Sequence, residues 1–254
     1  ARRARKNAGV NFKLCGAARR RQMRERINRS GCAIKQIKFK GETMKVAIIG
    51  ANGKSGSNLV QEALKQGHDV TAIVRNKEYK NGDVKVVYKD IFELTKTDLA
   101  GFDAVISAFA AWTPETFGLH KKVAKHLADA LSGTKTRLLV IGGAGTLYVD
   151  DKGTMAMDTP DFPPEYMGVA KATAESFFEL KDRSDVLWTY VSPAGEYDAN
   201  GARTGKYVLG GDNLILNSKN ESYISYADLA LAVIDELKNK KFIQKRFIAV
   251  GERA

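Results

Sequence analysis

Cysteine is nearly absent from this chain. Only Cys15 and Cys32 occur among 254 residues, and both precede Met44. An internal disulfide within residues 44–254 is therefore excluded, which is compatible with a cytoplasmic protein. No run of 18 apolar residues occurs either, so we expect no membrane-spanning helix.

Net charge is confined to one part of the sequence. Residues 1–43 contain 14 Lys and Arg against 2 Asp and Glu, a balance of +12, whereas residues 44–254 contain 27 of each class and balance at zero. The larger segment therefore lacks the basic bias of nucleic-acid-binding proteins, and we do not expect nucleic acid to be its partner.

The basic segment 1–43 admits three interpretations. Met44 stands directly before a well-formed strand, which favours a non-native or wrongly assigned extension. Its apolar residues are scattered, so we expect it to be disordered. A targeting leader rich in Arg and a nucleic-acid-binding arm that contacts phosphates remain as alternatives.

From Met44 onward, short apolar runs rich in β-branched residues alternate with segments of helical periodicity. This alternation predicts a parallel sheet covered on both faces by helices, a Rossmann-like doubly wound α/β fold in a single domain over 44–254. Two long polar connections, 146–165 and 195–224, are expected to be binding lids. The predicted strands are 45–50, 69–75, 84–92, 102–112, 136–145, 186–195 and 246–251.

A glycine-rich turn follows the first strand. Gly50, Gly53 and Gly56 form G-x-x-G-x-x-G between a strand and a helix, the arrangement that brings backbone close to a dinucleotide pyrophosphate. The free N–H groups of the helix N-terminus would then bind the phosphates. Between the glycines, the predicted phosphate-binding residues are Asn52, Lys54 and Ser55.

The end of the second strand bears on the choice of dinucleotide. A carboxylate there would bind the ribose of NAD, whereas an arginine accommodates the 2′-phosphate of NADP. The sequence has Arg75 and Asn76 at this point, and its first carboxylate is Glu78. We therefore predict that NADP(H) is preferred over NAD(H).

With these motifs, residues 44–254 resemble the atypical short-chain dehydrogenase/reductases of the NAD(P)H-binding, NADH-flavin reductase-like family, which are related to biliverdin/flavin reductases and NmrA-like sensors. Further marks are "AVISAFA", "LLVIGGAGTLYV" and "SYISYADLALAVIDEL". The resemblance implies a dinucleotide lying along the carboxyl ends of the strands. The implied contacts are Asp90 and Ile91 with the adenine, Ala108, Phe109 and Ala110 with its ribose, Gly142, Gly143 and Ala144 with the nicotinamide ribose, and Ser192, Pro193 and Ala194 with the nicotinamide.

The sequence departs from the usual catalytic pattern of that superfamily, Tyr-x-x-x-Lys with an upstream Ser. Four residues before Lys171 stands Met167, and Tyr166 is five residues away, a spacing that turns the two side chains apart on a helix. The upstream Ser is missing as well, and Thr146 is the nearest hydroxyl. No catalytic side chain is therefore predicted.

Hydride transfer to a flavin does not need the Tyr–Lys pair, because the cofactor and the flavin carry the chemistry. The leading hypothesis is thus an NAD(P)H-dependent reductase of a flavin or similar flat conjugated acceptor. An NADP(H)-binding redox sensor without turnover is the alternative, and a nucleotide-sugar epimerase is less favoured. A homodimer remains open. Six aromatic residues are candidates for the acceptor wall: Phe109, Trp112, Phe117, Tyr148, Phe162 and Tyr166.

The three histidines show no metal-ligand spacing. His120 and His126 stand six residues apart on a predicted helix, and His68 lies in a turn. We interpret them as packed or solvated residues and predict no metal site.

Overall fold

Seven parallel strands arise from the apolar runs of the sequence. The computed structural model describes residues 42–75 and 78–254; the expectations for residues 1–41 and for Asn76 lie outside these ranges. Central strands are buried on both faces because helical crossovers cover them. The parallel strands are β1 (Lys45–Ile49), β2 (Asp69–Val74), β3 (Lys85–Tyr88), β4 (Ala104–Ser107), β5 (Arg137–Ile141), β6 (Leu187–Ser192) and β10 (Lys245–Val250).

The strand order of the main sheet is β3-β2-β1-β4-β5-β6-β10-β8, and only the edge strand β8 (Val208–Gly210) runs antiparallel. The first six positions have the doubly wound order in which the chain reverses direction beside β1. This arrangement confirms the predicted Rossmann-like α/β fold, and the described residues 42–75 and 78–254 belong to a single domain of this class.

Four long helices cover the sheet, two on each face. α1 (Lys54–Lys65) packs against α5 (Tyr226–Asn239), and α3 (Leu119–Leu131) packs against α4 (Met167–Lys181). A short helix, α2 (Lys96–Leu99), precedes β4. The sheet separates two apolar cores, one under each helix pair. No helix in the described ranges has the length and apolar character needed to cross a bilayer.

Four predicted strands are shorter than expected. Those predicted over 136–145 and 186–195 end at Ile141 and Ser192. The strand predicted over 84–92 ends at Tyr88, because the carboxylate of Asp90 accepts a hydrogen bond from the Phe92 backbone N–H and starts a 3-10 turn. The strand predicted over 102–112 is restricted to Ala104–Ser107. After Ser107 the apolar run continues through Ala108, Phe109 and Ala110, so hydropathy alone does not mark the end of that strand.

Three short strands were not predicted. β7 (Glu196–Asp198) pairs with β9 (Tyr223–Ser225) in a small separate sheet, and β8 pairs with β10. Each has three residues, too few to show a period in the sequence. β7 and β9 lie at the two ends of the predicted lid 195–224, and β8 lies within it.

The start of α5 has a side-chain cap. The Ser225 hydroxyl accepts a hydrogen bond from the Asp228 backbone N–H at 3.0 Å, so it caps the helix. The Asp228 carboxylate, however, does not complete a capping box. It is fully buried and accepts hydrogen bonds from the Thr204 backbone and hydroxyl and from the Gly205 backbone. Asp228 therefore fastens the 195–224 segment to the helix.

Candidate dinucleotide and acceptor site

A large cavity lies along the carboxyl ends of the parallel strands. Its volume is about 1350 Å³, more than the roughly 300–1,000 Å³ of an ordinary small-molecule pocket. Residues that follow β1, β2, β3, β4, β5 and β6 all line it. Ligands bind at this edge in open α/β sheets because loops there surround the point at which strand order reverses.

The turn after β1 requires glycine at two positions. Gly50 has φ of +75°, and a Cβ there would lie 3.0 Å from the Ala108 carbonyl oxygen. At Gly56 a Cβ would lie only 2.2 Å from the Gly50 carbonyl oxygen, so α1 packs directly on the turn. These contacts fit the close packing of helix on strand that a dinucleotide-binding turn uses.

The start of α1 is suited to bind an anion. Gly53 is the N-cap and offers no side chain, and the first turn carries no acidic residue. The N–H groups of the first turn have no acceptor within the helix, and the helix dipole adds a partial positive charge. Gly53, Lys54 and Ser55 line the cavity here, while Gly56 lies beneath the turn.

Basic residues lie at the end of the cavity beyond this turn. Arg75, exposed at the end of β2, lines it together with Lys89, Asp90 and Ile91. The Lys89 ammonium is 2.7 Å from an Asp98 carboxylate oxygen, an ion pair that holds the pKa of Asp98 well below its usual range. Lys89 was not among the predicted residues.

Asn52, a predicted phosphate-binding residue, lies beside the glycine turn. Its amide donates a hydrogen bond to the Glu78 carbonyl at 2.7 Å. It lines a separate shallow recess that also touches Gly50, Gly53 and Arg75, and it does not line the main cavity. Asn52 therefore connects the turn to the segment after β2.

The ends of β4, β5 and β6 form the middle of the cavity. Glycine is required after β5, because a Cβ at Gly142 would lie 2.0 Å from the Tyr190 hydroxyl oxygen and one at Gly143 would lie 2.6 Å from the Thr173 hydroxyl. The predicted residues that line this part are Ala108, Phe109, Ala110, Gly142, Gly143, Ala144, Pro193 and Ala194.

Ser192 does not match its expected place beside the nicotinamide. Its side chain is fully buried at the end of β6, its hydroxyl has no hydrogen-bond partner within the described residues, and it does not line the cavity. The Ser192 side chain is packed inside the protein at the end of β6, whereas Pro193 and Ala194 line the cavity.

Aromatic side chains border the other end of the cavity. Trp112 and Tyr166 are 66% and 53% exposed, unusual values for large aromatic residues, and both line the cavity together with Phe162. Two other candidates do not. Phe117 packs against Gly168, and the Tyr148 ring lies against the Arg246 guanidinium.

The described residues around the cavity contain no Tyr–Lys proton relay. Lys171 is exposed and does not line the cavity, in contrast to Tyr166. The Thr146 hydroxyl is buried and accepts a hydrogen bond from Arg246 at 2.7 Å. Tyr190 is also unsuitable, since burial raises the pKa of its hydroxyl, which donates to the Thr173 carbonyl.

Two tyrosines reach the cavity from the 195–226 region. The Tyr197 and Ser55 hydroxyls are hydrogen-bonded at 2.8 Å, and the Tyr197 ring stacks on Tyr226 with centroids 3.7 Å apart. Burial raises the pKa of Tyr197 well above its usual range. This contact could not be predicted from the sequence, because it joins residues 142 positions apart.

His120, predicted from the sequence to be a packed or solvated residue, also lines the cavity. Its Nε2 lies 3.0 Å from the Ala111 carbonyl oxygen, and burial lowers the pKa of its imidazole. Within 42–75 and 78–254, no three His, Cys, Asp or Glu side chains form a group that could hold a metal ion.

The fold and this cavity define a Rossmann-like nucleotide-binding protein. Residues 50–240 match the model of the NAD(P)H-binding family. The chain therefore belongs to the NAD(P)H-binding family, which confirms the resemblance inferred from its motifs.

Three relatives illustrate the comparison. YwnB of Bacillus subtilis (strain 168), an uncharacterized protein, is 48% identical over 82% of this chain and 99% of its own. A crystal structure from Streptococcus pneumoniae TIGR4, of a protein whose name proposes an NADH-flavin reductase activity, is also 48% identical, with a TM-score of 0.80 over 82% of this chain and 100% of that one. A structure from Bacteroides thetaiotaomicron, named for a proposed epimerase, is 34% identical, with a TM-score of 0.72 over 84% and 100% of the two chains. Together these findings place the chain among NAD(P)H-dependent oxidoreductases.

Proposed function

We propose that this protein is an NADPH-dependent reductase that transfers a hydride to a flavin or a similar flat conjugated acceptor. The observation that carries the proposal is the continuous cavity, which joins an anion-binding helix start and Arg75 at one end to exposed aromatic rings at the other. Its volume leaves room for an acceptor beside a dinucleotide.

The residues of the basic end fit the dinucleotide. The first turn of α1 would bind the diphosphate, and Arg75 with Lys89 would bind the 2′-phosphate of the adenosine. Asp90 and Ile91 would flank the adenine. A phosphate beside two basic side chains forms charge-assisted hydrogen bonds, which favours NADP(H) over NAD(H).

The middle of the cavity would position the two ribose rings and the nicotinamide. Backbone at Gly142 and Gly143 can approach a ligand closely, because no side chain separates it from the cavity. Pro193 and Ala194 would border the nicotinamide. When bound, NADPH supplies a hydride, so the acceptor gains two electrons, takes its remaining proton from solvent, and NADP⁺ is left.

The protein's own part in the reaction is to orient two flat rings and exclude water between them. Reacting atoms must come within about 3–3.5 Å for hydride transfer. Trp112, Phe162 and Tyr166 provide aromatic faces on which such an acceptor can stack. The missing relay argues against carbonyl reduction and against epimerase chemistry, because both need a proton at a defined position.

The direct test mixes the full chain with NADPH and riboflavin or FMN and follows absorbance near 340 nm. We expect turnover with a flavin and a lower KM for NADPH than for NADH. Tight NADPH binding without turnover of any flavin or quinone would instead favour the redox-sensor alternative.

A second test concerns the acceptor wall. Trp112→Ala should raise the KM for the flavin about threefold to tenfold, the equivalent of one aromatic stacking contact, and leave the Kd for NADPH unchanged. Phe178→Ala is the matched control, since Phe178 is a partly exposed aromatic residue on α4 that does not line the cavity. Equal effects of the two substitutions would contradict the assignment of Trp112.

A further inference from the structure

The basic side chains of the cavity are confined to one end, where Asp90 also lies. Among its lining residues in the described ranges, the lysines and arginines are Lys54, Arg75 and Lys89. All three belong to the segments after β1, β2 and β3. In the proposed function these positive charges bind the phosphates of the dinucleotide, so they are not available to a second ligand.

The aromatic end has the opposite charge. Segment 148–166, which supplies Phe162 and Tyr166 to the cavity, contains five Asp and Glu against one Lys, a balance of −4. Asp161 itself lines the cavity and is exposed. The negative charge therefore borders the space that the proposed acceptor would occupy.

The other carboxylate at this end is largely neutralised. Glu196 lines the cavity but forms an ion pair with the Arg253 guanidinium. Asp161 has no such ion pair with the residues of the described ranges. Asp158 and Glu165 are exposed beside it and add to the same field.

We infer that the acceptor is a flat conjugated molecule without a phosphate group, such as riboflavin in preference to its 5′-phosphate FMN. The inference rests on the proposed function, since it assumes that the dinucleotide occupies the basic end. A phosphorylated tail would then lie near segment 148–166. Charges within about 8 Å of one another interact appreciably at physiological ionic strength, and like charges repel.

Binding to the full chain saturated with NADP⁺ separates this inference from the proposed turnover. Titration of riboflavin and FMN, followed by quenching of flavin fluorescence, should give a Kd about tenfold lower for riboflavin at low salt. The ratio should shrink toward one as NaCl is raised. Equal affinities, or tighter FMN binding, would overturn the inference and leave flavin reduction intact. If neither flavin bound, both the inference and the proposed acceptor class would fail.

A charge-reversal variant tests whether the charge of segment 148–166 causes the preference for riboflavin over FMN. Asp161→Lys should reduce the preference for riboflavin over FMN about tenfold and leave the Kd for NADP⁺ unchanged. Asp69→Lys makes the same change at an exposed position at the amino end of β2, away from the cavity, and should keep the wild-type preference. A preference that is unchanged in Asp161→Lys, or lost equally in both variants, would refute the role of segment 148–166.

Discussion

At the residue scale, the proposed preference for NADP(H) depends on Arg75. It lines the cavity at the end of β2, where the described chain offers no carboxylate before Glu78. Arg75→Ala should raise the KM for NADPH about tenfold, the loss of one partly solvated charge-assisted hydrogen bond, with little change for NADH. Steady-state kinetics with both cofactors measures this.

Lys45→Ala is the control for Arg75→Ala. It removes a positive charge from the first residue of β1, at the sheet edge opposite the cavity. If Arg75→Ala raised the KM for NADPH and for NADH equally, Arg75 would not contact the 2′-phosphate.

A second prediction at this scale concerns Gly56. A methyl group there would meet the Gly50 carbonyl oxygen at 2.2 Å, so the turn or α1 must move. Gly56→Ala should lower the free energy of unfolding by about 1–3 kcal/mol, a typical cost of overpacking, and weaken dinucleotide binding. Urea unfolding and a cofactor titration check the two effects.

Gly118→Ala is the matched substitution for Gly56→Ala. Gly118 has nothing within 4 Å of its would-be Cβ, and it already has helical backbone angles. The variant should be as stable as wild type or slightly more so. Wild-type behaviour of Gly56→Ala would contradict the packing described above.

At the element scale, one hydrogen bond joins the start of α1 to the segment after β6. The Tyr197 hydroxyl reaches Ser55 in the first turn of α1, and its ring rests on Tyr226 at the start of α5. Tyr197→Phe keeps the ring but removes the bond. We expect a stability loss of about 1 kcal/mol and faster amide hydrogen exchange in β7 and β9.

Tyr88→Phe controls for the loss of a tyrosine hydroxyl. Tyr88 is half exposed on β3 and does not line the cavity, so its exchange pattern should stay that of wild type. If amide hydrogen exchange in β7 were unchanged in Tyr197→Phe, the hydrogen bond between Tyr197 and Ser55 would not stabilise the segment after β6.

At the scale of the whole molecule, two buried histidines make the stability of the protein depend on pH. Burial lowers the pKa of both His68 and His120 below 6.5, and a nearby Lys238 adds to the effect on His68. The folded state therefore binds fewer protons than the unfolded state once the pH falls below 6.5. This part of the stability is fully present above pH 6.5 and is lost as the pH decreases.

The double variant His68→Asn/His120→Gln isolates this contribution, because the amides replace the ring nitrogens that accept from Met44 and contact Ala111. Between pH 7.5 and 5.5, the free energy of unfolding should fall more in wild type than in the variant. Parallel curves for the two proteins, measured by urea unfolding, would contradict the prediction.

Much of the fold could be predicted because its signals are local. Each parallel strand is a short apolar run, and the G-x-x-G-x-x-G turn has contacts within seven residues, such as that of Gly56 with Gly50. Strand ends were less predictable. The apolar run continues past Ser107, the last residue of β4, and a 3-10 turn capped by Asp90 begins inside the strand predicted over 84–92.

The sequence by itself determined the fold class, the glycine turn and the family, because periodicity and spacing are properties of neighbouring residues. Only the tertiary structure decided that Ser192 is buried, that Tyr197 contacts Ser55, and that Arg75 and Asp161 line the same cavity. Those facts depend on residues that are far apart in the chain, and packing of the sheet and its helices is what brings such residues together.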